Sequence, residues 1–159
     1  MEPFTHVDGD GRVRMVDVST KDPTTRTALA SCVVRTDRDV FSLDVGTDDL
    51  GVVAAARLAG IQAAKRTSHL IPLCHPLNLS VVEVDVGPDP LGAAVRARVV
   101  TVNRTGVEME ALVACAFAAL SLTAALRAAG ADARFDDLAV LAKSGGKSGD
   151  WGRDITPAT

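Results

Sequence analysis

Hydrophobic and polar residues alternate along "LNLSVVEVDV", Leu77 to Val86, and again along "AVRARVVTV", Ala94 to Val102, with "GPDPLG" turning between them. A period of two sends one set of side chains to a buried face and the other outward, so the pattern predicts an antiparallel pair of strands. A different rhythm follows. "TGVEMEALVACAFAALSLTAALRAAG", Thr105 to Gly130, carries two glutamates at its start and no further charge until Arg127. That is the pattern of a helix covered on nearly every side. Earlier, Val13 to Val18 alternates in a strand-like way before a turn at Lys21 to Pro23, and Ala28 to Arg35 predicts a further strand. Thr47 or Asp48 is placed to cap another helix that runs to about Lys65, with Arg57 the only charge in its body. "DDLAVLAK", Asp136 to Lys143, predicts a last strand before a Gly-rich tail.

Strand, helix, two strands, helix, strand is the ferredoxin-like order. The expected class is α+β, a βαββαβ antiparallel sheet with helices on one face and extra N-terminal strands. Val-rich strands with one uncovered face predict burial of that face against another subunit. The 159 residues suit one domain, 1–159, with no repeat or low-complexity tract.

Composition narrows the function. Three cysteines, Cys32, Cys74 and Cys115, are odd in number and sit in apolar runs, which predicts reduced thiols and a cytoplasmic protein. The start, "MEPFTHVDGDGRVRMVDV", has no basic and apolar leader. The apolar run Ala111 to Leu126 falls short of a membrane span. A net charge of −3 and an aromatic content of 3% supply neither a basic field nor stacking platforms for nucleic acid.

Three stretches carry chemistry. Thr105-Gly106-Val107-Glu108 has capping-box spacing, which by itself makes Glu108 structural. Glu110 lies about 200° further round the helix and cannot share that role. "LIPLCHPLN" fixes His75 between Pro72 and Pro76, as a positioned acid or base requires, although a lone His among apolar neighbours also suits a core. Its Cys74-His75 pair has the wrong spacing for zinc, so no metal is expected. "KSGGKSG", Lys143 to Gly149, is not a P-loop, because Leu141 stands where that motif needs its first glycine. It remains an amide-rich loop suited to a phosphate, or a solvated tail. Only four lysines stand against thirteen arginines; two are in this loop and Lys65 precedes "RTSHLIPLCHP", which hints at retained amines.

Together "RMVDVSTKDPTTRTA", "ARLAGIQAAKRTSHLIPLCHPLNLSVVEV", "TGVEMEAL" and "LAKSGGKSGDW" resemble the cyclic pyranopterin monophosphate synthase (MoaC) family of molybdenum-cofactor biosynthesis, over nearly the whole chain. The resemblance implies a ferredoxin-like fold assembled as a homohexamer, a trimer of dimers, with sites at subunit interfaces. It implies a GTP-derived substrate, 3′,8-cyclo-dihydro-GTP, converted to a cyclic pyranopterin monophosphate with release of pyrophosphate, and no metal or organic cofactor. By motif, His75, Glu108, Glu110 and Lys143 would be catalytic. Lys21, Arg26, Lys65, Cys74, Met109, Arg127, Gly145, Gly146 and Lys147 would bind substrate.

The chain departs from the family at known positions of chemistry. The family's "LTIYDMCKA" aligns with "LSLTAALRA", so its Asp falls on Ala124 and its Lys on Arg127. Its "KGD" puts a catalytic Lys on Asp49 and an Asp on Gly51. Losing one positioned acid or base commonly reduces rate by about 10² to 10⁴. Three readings therefore stand: the ordinary synthase, a divergent enzyme performing another cyclisation, elimination or hydrolysis on a related purine-derived nucleotide, or a silent scaffold subunit.

Overall fold

The computed structural model describes residues 6–44 and 51–153. Its regular elements are β1 (Thr24–Thr36), a 3-10 turn at Val40–Asp44, α1 (Val52–Ala64), the single-turn α2 (Thr67–Leu70), β2 (Leu79–Asp89), β3 (Gly92–Asn103), α3 (Glu108–Ala128), β4 (Ala133–Ser144) and β5 (Trp151–Gly152). The five strands form one antiparallel sheet in the order β2-β3-β1-β4-β5. Without β5 this is the ferredoxin-like βαββαβ arrangement, in the α+β class that the alternation predicts.

Period-two patterning builds the core. Ala28, Ala30, Cys32 and Val34 of β1 and Ala93, Val95, Ala97 and Val99 of β3 are buried on the helix side. Against them lies α3, whose Ala111, Ala114, Cys115, Ala118, Ala119, Leu122 and Leu126 are fully buried. By length and composition α3 could also cross a membrane; here its apolar residues fill the space between sheet and α1. Small residues let the helices approach closely. A Cβ on Gly60 of α1 would lie 2.6 Å from the Ala114 carbonyl oxygen, too close for any side chain.

The N-terminal end differs from expectation. Val13 to Val18 is no strand: among the described residues its pairing is one isolated bridge, Val7 to Val13. β3 and β4 occupy both edges of β1, and the segment pairs with neither outer strand of the sheet. Residues 14–23 instead form an exposed strap in which only Val16 and Val18 are half-buried. The added strand is the C-terminal β5, paired to β4 through Ala142–Gly152 and Lys143–Trp151. In "GPDPLG", β2 continues to Asp89 and leaves Pro90 and Leu91 as the turn. Thr47, Asp48 and Asp49 lie outside the described residues; α1 begins after Gly51, in extended conformation.

The sheet face away from the helices is mixed rather than apolar. Arg98 pairs with Glu83 at 3.0 Å, and Arg35 pairs with Asp136 at 2.7 Å and Asp137 at 2.9 Å. Large exposed apolar side chains also occur on the helices, where Leu58, Phe117 and Leu120 are 49%, 38% and 48% exposed.

Candidate active site

At one end of the sheet β1 begins, β3 and β4 end, and α3 starts. A cleft of about 1210 Å³ opens there. The strands aim side chains into it by register. Lys143 stands across from Ala28, whose side chain faces the helices, so the lysine rises on that same side. There it meets Glu108, the first residue of α3, with Nζ 3.2 Å from Oε1. Both side chains are about a third exposed, so this ion pair is partly desolvated.

The capping box that the sequence suggests is not formed. The residue before the helix is Val107, with no side-chain cap, and Thr105 makes no capping bond. Glu108 does fold back, over Gly106, where a Cβ would collide with its carboxylate. It answers Lys143 instead of an amide. The helix start thus holds two carboxylates, which its dipole favours.

Glu110 is turned inward and only 4% exposed. Burial pushes its carboxyl up from 4.5 to about 7; its own backbone hydrogen bond opposes the shift, and the charge of Glu108 adds to it. Cys74 lies close enough to feel this group. Burial raises its thiol above the ordinary value, and the Glu110 charge raises it further. Next to it is half-buried His75, also lining the cleft. Leu73, between Pro72 and Cys74, takes a left-handed φ of 67°, unusual for a branched residue, and the strain fixes the direction in which Cys74 and His75 leave the turn.

A basic group shares the cleft: Lys21 and Arg26 from the strap and β1, Arg104 from the β3–α3 turn, and Lys147 from the glycine-rich loop. None of the four has a carboxylate partner among the described residues. Gly145 and Gly146 are shaped by this group. They have φ of 89° and 77°, and a Cβ would run into the Thr25 carbonyl from the first and the Arg26 guanidinium from the second. Arg26 Nε is buried with no hydrogen-bond partner. The Gly145 amide, expected to face a phosphate, donates to Asp150 Oδ1 at 3.2 Å.

The cleft therefore gathers His75, Glu108, Glu110 and Lys143, and with them Lys21, Arg26, Cys74, Met109, Gly145, Gly146 and Lys147. Two residues expected with them stand elsewhere. Lys65 is the exposed C-cap of α1, and Arg127 is exposed in the last turn of α3. Ala124 is exposed on α3 as well. Sequence reasoning passed over Arg104, whose signal was its place directly before the "TGVE" entry to the helix. Among the described residues no three His, Cys, Asp or Glu side chains gather at metal-binding distance. Chemically, the cleft offers a carboxyl that exchanges its proton near neutrality, an amine held by a carboxylate, an imidazole and four cations.

A sequence model described as the MoaC family matches residues 15–146. Among similar proteins, the cyclic pyranopterin monophosphate synthase of a Nocardioides species is 51% identical over 94% of this chain and 95% of its own. That of Streptomyces griseus is 50% identical over 94% and 86%. Cyclic pyranopterin monophosphate synthase 2 of Mycobacterium tuberculosis is 46% identical over 94% and 91%.

Proposed function

Since the chain belongs to the MoaC family, we propose that it is a lyase that converts 3′,8-cyclo-dihydro-GTP to cyclic pyranopterin monophosphate and pyrophosphate. The observation that carries this reading is the meeting of His75, Glu108, Glu110 and Lys143 in one cleft beside four cations that have no carboxylate partner among the described residues. The reaction opens the imidazole-derived ring, rebuilds it as a pyranopterin and closes a cyclic phosphate. It needs proton transfer at one end of the substrate and charge neutralisation at the other. Glu110, titrating at about 7, can give or take a proton near neutral pH. His75 shares that work. Lys143, held by Glu108, acts beside the ring chemistry, while Lys21, Arg26 and Lys147 hold the triphosphate and stabilise leaving pyrophosphate.

The protein works in this reading as one domain, in the cytoplasm, and as a homohexamer with sites at subunit interfaces. Support for assembly comes from α3. Met109, Leu120, Ala124 and Arg127 share one helix face, with Phe117 beside it, and Met109, Phe117 and Leu120 are 38%, 38% and 48% exposed. That stripe begins at the cleft and runs to the positions where the family's Asp and Lys are replaced.

Those replacements favour a second reading, a divergent enzyme acting on a related purine-derived nucleotide. Incubation with enzymatically prepared cyclised dihydro-GTP, followed by mass spectrometry, separates the two. The synthase reading expects pyrophosphate and the cyclic pyranopterin, both lost in His75→Ala. Substrate binding without that product sinks it and favours the second.

A further inference from the structure

One wall of the cleft is the strap, which the sheet does not hold. It contributes Val16, Val18, Thr20, Lys21 and Asp22. Among the described residues, the hydrogen bonds of residues 7–23 close within the N-terminal segment, with one exception. Arg104 Nε donates to the Lys21 carbonyl at 2.6 Å, a short, charge-assisted bond from the turn that opens α3. The bond uses one of five N–H donors of a planar guanidinium. The group lines the cleft and pairs with no carboxylate among the described residues.

We propose that Arg104 is a positioning residue that latches the strap over the cleft through Nε and turns its remaining N–H donors to an anionic group of the ligand. Closing the strap brings Lys21 to the same anion, so latch and ligand reinforce each other. The latch rests on the hydrogen bond and the exposed strap. The anion contact rests on the phosphate reading above.

The test is limited trypsin cleavage of the native protein after Arg14 and Lys21, with and without inorganic triphosphate. Arg104→Ala should be cut about tenfold faster at both places, the factor expected for losing one charge-assisted hydrogen bond. Arg104→Lys, which can still reach the carbonyl, should stay near the wild-type rate. Arg104→Gln keeps a donor without the charge, so it should resist cleavage alone but gain less protection from triphosphate than the wild type, whose cutting triphosphate slows. Unchanged cleavage in Arg104→Ala overturns the latch, as does faster cleavage that merely follows a fall in thermal midpoint. Equal protection of Arg104→Gln by triphosphate overturns the anion contact. With cyclised dihydro-GTP, Arg104→Ala should raise KM about tenfold and leave kcat within about threefold. If the wild type does not turn that substrate over while the cleavage results hold, the reaction fails and the latch stands.

Discussion

Glu110 couples the site to stability. Its folded-state carboxyl titrates at about 7 against an ordinary 4.5 because burial penalises the charge. Between those values the folded protein holds a proton that the unfolded chain has released, so stability falls as pH rises through the window. The full shift corresponds to about 3 kcal/mol at most. Glu110→Gln should match the wild type near pH 4.5 and exceed it above pH 7.5, as read by urea unfolding across that range. A parallel pH profile would mean that the buried carboxyl is not the source. The motifs marked the group but not its environment: "VEME" points to Glu108 and Glu110, yet which glutamate is buried depends on how the start of α3 packs against distant segments, Cys74 among its neighbours. Glu108 shows the limit of local reading more sharply. T-x-x-E spacing serves a cap or an ion pair equally well, and Lys143, distant in sequence but adjacent in the fold, decides between them. Arg104 carried a signal in its place before that motif, but its partner, a backbone carbonyl at Lys21, could not be read from that place.

At the scale of elements, alternation located β2 and β3 within a few residues because each has a face to bury, and the same test failed at Val13 to Val18. Strand character there requires docking on a neighbouring strand, which no local pattern records. Apolar density marked α3 correctly as a helix but not as a covered one, since Met109, Phe117 and Leu120 stay exposed, and the way it meets α1 depends on the notch at Gly60. Gly60→Val would press a branched side chain onto the Ala114 backbone, the Ala118 methyl group and Val84, so it should destabilise by about 3 kcal/mol or more despite the better helix propensity. Chemical denaturation measures this directly. A loss below about 1 kcal/mol would show that the helices separate freely. Gly145 and Gly146 act differently, giving space to β1 and Arg26 rather than to a second helix.

For the whole molecule, the apolar stripe on α3 is the surface on which the proposed assembly rests. Leu120→Glu places a charge in that stripe, away from the cleft, and should reduce the mass in sedimentation equilibrium to that of smaller species while leaving far-ultraviolet circular dichroism unchanged. An unaltered mass would remove the stripe from the interface. The ferredoxin-like order was readable from the succession of patterns, whereas the position of each strand in the sheet was not, because pairing joins distant segments. That placement has a consequence in time. β1 precedes every other strand but stands between β3 and β4. As a ribosome extends the chain, both edges of β1 wait for partners, on the order of ten seconds for the later one. The cleft takes Lys21 and Arg26 from early in the sequence and Lys143 to Ser148 from late in it. A nascent chain can thus build half a sheet and still have no pocket, so the site appears only as β4 and the loop after it dock.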